Sequence, residues 1–208
     1  MSLFALFLLA GCQQAGFLYE VPETPPSIYR WGVETGGDTT VVLGWDDWTS
    51  GEVAYVVQVQ QADGTWTAVE SEPTQGTPRT GTTLRTVVEG LTGETDYTFR
   101  VVAVGTVFAT PSAPLSVTTG PHAPVGLSAV YNAPNVDVTW TDAASTESTY
   151  VVQRSTDGEF FSTVTTSPPG TESYQHASAP AGVYYYRVYA EGVGSNSSAP
   201  VAGPVVVP

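Results

Sequence analysis

The chain has 208 residues, 41% of them hydrophobic, which is material for two small cores rather than one large one. Its formal charge is −14, and all six cationic side chains are arginine, with no lysine. Such a surface has no basic patch to displace phosphate counterions, so nucleic acid is excluded as a partner.

The first predicted element is an apolar run, Leu3 to Ala10, without a charged residue. It falls short of the roughly 20 residues that a helix needs to cross a bilayer and has the character of a secretory signal. The run ends in Leu9-Ala10-Gly11-Cys12, which resembles the lipobox of bacterial lipoproteins. In that family the peptide before the Cys is removed and the thiol acylated. The resemblance implies a signal peptide over 1–11, a lipid anchor at Cys12 and a place in the cell envelope. Gln13, where an Asp would mark inner-membrane retention, directs the expectation to the outer membrane or cell surface. Cys12 is the lone cysteine, so no disulfide can form within the chain and both cores must stand on packing alone. Residues 12–24 are predicted to be an extended tether.

From Pro25 onward apolar residues alternate at period two, and Gly and Pro punctuate them every ten residues or so. Strands are predicted over 28–34, 39–45, 54–60, 65–69, 82–88, 96–104 and 113–118, and again over 125–131, 135–140, 149–154, 160–165, 172–176, 182–191 and 200–207. The two sets repeat each other. Trp45 and Trp140 are 95 residues apart, as are Tyr55 and Tyr150, and Asp63-Gly64 and Asp157-Gly158 mark corresponding turns. The expectation is an all-β chain of two tandem seven-stranded antiparallel immunoglobulin-like sandwiches, 25–119 and 125–208, joined by the Pro-rich linker 120–124. Both halves are acidic, so little contact between them is expected.

Trp45, Tyr55-x-Val57, Leu91 six residues before Tyr97, and Phe99-Arg100-Val101 in the first repeat resemble the fibronectin type III family. Trp140, Tyr150-Val151-Val152-Gln153-Arg154 and Tyr184-Tyr185-Tyr186-Arg187-Val188 in the second resemble it more closely. In the first repeat Val59 stands where the family has Arg, and the stretch 70–81 is a longer loop than usual. Trp45 and Trp140 are the right size to fill the gap between sheets about 10 Å apart. With Tyr97 and Tyr184, whose hydroxyls are expected to reach nearby backbone carbonyls as tyrosine corners, they form the predicted structural core. Arg100 and Arg187 are expected to face outward and pair with carboxylates.

Catalysis has little to draw on. His122 falls in the linker and His176 near a strand end, both read as solvated loop groups, and adjacent Asp46 and Asp47 point to opposite sides of a strand. No thiolate zinc site or His-Cys dyad can be built if Cys12 carries lipid. No catalytic residue, metal ligand or cofactor is therefore assigned. Trp31, Trp48 and Trp66, left over once the cores are filled, are the candidate ligand contacts. The function expected is a non-enzymatic surface lipoprotein whose sandwiches serve as a structural, adhesion or protein-interaction module. Its partners would be the membrane through Cys12 and another surface protein or copies of itself. The alternative is a glycan-binding module that uses the exposed Trp residues of the first domain.

Overall fold

The computed structural model describes residues 25–31, 37–49, 51–73, 81–192 and 195–208. The signal segment, Cys12, the tether and part of the 70–81 stretch lie outside the described residues.

Alternation dictates the architecture, because one side of each strand is apolar and must find a second sheet. In the first sandwich β1 (Ile28–Arg30), β2 (Val41–Asp46) and β5 (Thr83–Val88) form one sheet in the order β1-β2-β5. Facing it are β4 (Trp66–Pro73), β3 (Glu52–Gln60) and β6 (Asp96–Gly105), with β7 (Ala109–Pro111) and β8 (Leu115–Thr118) both paired to β6. The second sandwich sets β9 (Val125–Asn132), β10 (Asn135–Thr141) and β13 (Ser173–His176) in the order β13-β10-β9. Against them lie β11 (Thr149–Ser155), β12 (Ser162–Ser167), β14 (Gly182–Glu191) and β15 (Val201–Val207) in the order β12-β11-β14-β15. Every pairing is antiparallel.

Each core is built around the same two rings. Trp45 and Tyr55 are fully buried with centroids 5.6 Å apart and planes tilted by 55°, and Trp140 and Tyr150 meet at 5.8 Å and 54°. Tyr184 is buried and its hydroxyl donates to the Pro180 carbonyl oxygen at 3.0 Å. Tyr97 is only partly buried, and its hydroxyl accepts from the Thr92 amide at 3.0 Å instead of donating to a carbonyl.

Three details depart from the strand forecast. The last strand of the first sandwich is split into β7 and β8, because Pro111 and Pro114 cannot donate to the ladder. Ser112 fills the break, accepting the Val101 amide on its hydroxyl at 3.0 Å and donating its own amide to the Val101 carbonyl at 2.7 Å. β4 runs on to Pro73, beyond the expected end at Val69. β12 starts at Ser162 rather than Phe160, since Asp157 Oδ1 captures the amides of Glu159 and Phe160 in a turn.

The two sandwiches touch closely, contrary to the expectation of little contact. Glu94, in the turn before β6, accepts from the amides and hydroxyls of Ser145 and Thr146 at 2.6 to 3.0 Å. Asp38, buried, accepts from the Ser198 amide at 2.8 Å and its hydroxyl at 2.7 Å. The Gly37 amide donates to the Asn196 carbonyl at 2.9 Å, and Gly120 donates to the Gly37 carbonyl at 2.6 Å. A Cβ on Gly37 would lie 2.1 Å from the Ser195 hydroxyl, so only glycine permits this approach.

Candidate functional site on the outer face of the first sandwich

The inward turn of Leu43 and Trp45 sends Gly44 and Asp46 to the outside of the β1-β2-β5 sheet. Register places Tyr29, Gly44 and Arg85 in one row across the three strands. Trp31 is held next to them by its amide, which donates to the Val42 carbonyl at 2.9 Å. The Tyr29 and Trp31 rings are stacked, centroids 6.0 Å apart and planes within 27° of each other. A Cβ at Gly44 would come within 2.8 Å of both, so the rings rest on bare backbone. The Arg85 guanidinium stands 6.0 Å from the Trp31 centroid. Asp46 Oδ1 accepts from Thr83 at 2.8 Å and from the Tyr29 hydroxyl at 3.5 Å.

Trp48 lies elsewhere, packed on Gly81, where a Cβ would be 2.7 Å from the indole; it remains 51% exposed. Trp66 is on the opposite sheet and carries the Arg100 guanidinium 4.2 Å from its ring centre. Arg100 Nε also donates to Gln58 Oε1 at 2.8 Å. The second sandwich repeats this stack with Phe161, Arg187 at 4.4 Å and Gln153 at 2.6 Å. The expectation of carboxylate partners for Arg100 and Arg187 is thus corrected to an aromatic ring and an amide. The three candidate Trp residues do not converge on one site.

Each sandwich also buries an acid-tyrosine cluster at the same spacing. Tyr55 donates to Asp47 Oδ1 at 2.9 Å, and Thr49 donates to Glu52 Oε2 at 3.0 Å. In the second repeat Tyr150 donates to Asp142. Burial pushes the phenols of Tyr55 and Tyr150 far up, and the neighbouring carboxylates add to this, so neither ionises near neutrality. These clusters pin the β2–β3 and β10–β11 loops. Among the described residues no three His, Cys, Asp or Glu side chains gather as metal ligands, and no helix is long and apolar enough to cross a membrane.

His176 is not a loop group. It sits on β13, its Nδ1 2.7 Å from the Tyr186 hydroxyl and its Nε2 3.1 Å from Arg154 Nη1. His122 packs against Gly93 at the junction, where a Cβ would be 2.8 Å from its Nδ1.

Tyr29, Gly44 and Arg85 escaped the sequence reading, as did Glu94 and Asp38, and Asp46 was weighed only against Asp47 as an acid pair. The available signal was Gly44, a glycine inside a core strand where the second repeat has Thr139.

Strand order and paired cores define two tandem antiparallel β-sandwiches. No protein-family profile and no curated protein matches the chain. Solved structures do. It is similar to the FN1–FN3 domains of chicken CNTN1, with 22% identity, a TM-score of 0.38, and coverage of 87% of this chain and 66% of that one. A two-domain fibronectin type III segment of chicken tenascin is 18% identical, with a TM-score of 0.37 and coverage of 86% and 97%. An Fn3-like protein from Clostridium thermocellum is 30% identical over 41% of this chain and 90% of that one, with a TM-score of 0.34.

Proposed function

We propose that the chain is a non-enzymatic contact module of the cell surface, carried on a lipid at Cys12, whose two sandwiches present one stiff unit to another surface protein or to further copies of itself. The observation that supports it is the junction. Six hydrogen bonds converge on the two carboxylates of Glu94 and Asp38, joining domains that a flexible stalk would leave apart. Acylation at Cys12 would anchor the unit, since several acyl chains bind a membrane stably where one binds marginally.

Expression of the full chain in a Gram-negative host tests this. Wild-type protein is expected in the outer membrane with an acylated amino-terminal Cys12, and Cys12→Ser is expected to be released or left unprocessed. Intact Met1 with an unmodified thiol overturns the anchored reading. Surface cross-linking should capture wild-type protein with a partner or with itself, and Glu94→Ala should reduce that capture; equal capture by both overturns the stiff-unit reading.

A second reading, glycan binding by the first sandwich, is favoured by the aromatic pair on Gly44.

A further inference from the structure

We infer that Tyr29, Trp31, Asp46, Thr83 and Arg85 form a binding platform for a neutral oligosaccharide on the outer face of the β1-β2-β5 sheet. The inference rests on the glycan-binding reading and assigns it a place that excludes Trp48 and Trp66.

The rings meet over β2 because Gly44 has no side chain. An edge atom of each approaches the position of the missing Cβ to 2.8 Å, so the pair occupies the space that a side chain at 44 would take. Trp31 keeps 38% of its surface exposed although it packs on the sheet. The two stacked rings, 6.0 Å between centroids and within 27° of parallel, make one aromatic patch larger than either ring alone. The C–H groups on one side of a pyranose carry partial positive charge and meet the electron-rich face of an aromatic ring, while the sugar hydroxyls point sideways. The rim supplies what those hydroxyls need. Arg85 lies 6.0 Å from the Trp31 ring centre as a donor, and Asp46 and Thr83, bonded at 2.8 Å, stand two residues along on the same face as acceptor and hydroxyl. Few polar groups around an aromatic floor is the usual composition of a small-ligand site.

Two observations narrow the occupant. The chain carries −14 and the platform itself includes Asp46, so a polyanionic glycan meets repulsion that a neutral one does not. The second sandwich offers an internal control. Its corresponding row is Ser128, Thr139 and Ser173, small polar residues with no ring among them, on the same sheet of the same fold. The fold therefore does not require the platform, and a mid-strand glycine weakens a strand unless something uses the space.

The full chain should be titrated with cellohexaose, chitohexaose, mannohexaose and xylohexaose, following tryptophan fluorescence and the Trp31 indole N–H resonance. Saturable binding of at least one is expected. Trp31→Ala and Arg85→Ala should each weaken it about tenfold or more, as central contacts do. Trp31→Tyr should retain most of it, and Trp48→Ala should leave it unchanged. Amide spectra of each variant report whether the fold survives, and Arg85→Ala, an exposed change, keeps the test decisive if Trp31→Ala unfolds. Failure of all four sugars to bind overturns both the platform and the glycan reading. Binding that ignores Trp31→Ala and Arg85→Ala, or that is lost with Trp48→Ala, overturns the platform and leaves the glycan reading standing.

Discussion

Burial holds the His176 imidazole below its ordinary pKa of 6.5, and the Arg154 guanidinium lowers it further. Because Arg154 can only donate, Nε2 accepts and the Nδ1 proton goes to the Tyr186 hydroxyl. Tyr184 and Tyr186 face the ring from β14, and among the described residues its hydrogen bonds go to Arg154 and Tyr186, not to a carboxylate that would favour the cation. A proton on Nε2 would set two donors against each other. A group whose folded pKa lies below its unfolded value stabilises the fold fully above the unfolded pKa and loses that contribution as pH falls through the folded one. The denaturation midpoint of the second sandwich should therefore decline as pH drops below about 6.5. His176→Phe should remove that part of the slope; an unchanged slope would show that His176 does not cause it. Trp45 and Trp140 set the larger energies at this scale. Replacing either with Ala should cost about 3 to 5 kcal/mol, a large share of a small domain's roughly 5 to 15. Its own sandwich should show the lower melting transition in calorimetry. Equal loss in both sandwiches would mean the cores are not separate.

Strands were legible wherever an apolar residue alternated with a polar one, because a half-buried strand leaves no other pattern. The Asp63 and Asp157 turns were legible for a local reason: each carboxylate bonds groups two or three residues ahead, Thr65 in one case and Glu159 and Phe160 in the other. What was hidden depends on partners distant in sequence. The split between β7 and β8 is held by Ser112 bonding Val101, and Ser197 does the same for the Ala190 amide at 2.9 Å in the second sandwich. Neither serine has a local signature. The platform was half legible: Trp31 stood out as a surplus aromatic, while Tyr29 and Arg85 join it only through the register of three strands. Ser112→Ala and Ser197→Ala each strand a buried amide, at about 1 to 3 kcal/mol. Urea midpoints should fall for both; a midpoint that does not move would mean water or a shifted backbone replaces the hydroxyl.

Between the sandwiches, six hydrogen bonds end on two carboxylates, and Glu94 shows how they act together. Burial alone would raise its pKa, but the hydroxyls and amides of Ser145 and Thr146 outweigh this and hold it at about 2. Its folded value thus lies below the ordinary 4.5, so the contact is fully formed above that pH and is lost as pH falls toward 2. The residue sits at φ 53°, a left-handed conformation that the surrounding turn must hold in place. Its own amide, donating to the Gly120 carbonyl at 2.9 Å, helps to do so. The linker is therefore not the only tie between the domains. If the junction sets their relative orientation, residual dipolar couplings from both sandwiches should fit one alignment tensor at neutral pH. Glu94→Ala combined with Asp38→Ala should require two, with the amide spectrum of each sandwich otherwise preserved. Acidification of wild-type protein should release the Glu94 contact before either core unfolds, because that contact is exposed while Trp45 and Trp140 remain packed. Two tensors for wild-type protein at neutral pH, or a single tensor for the double variant, would show that the carboxylates do not hold the domains in register.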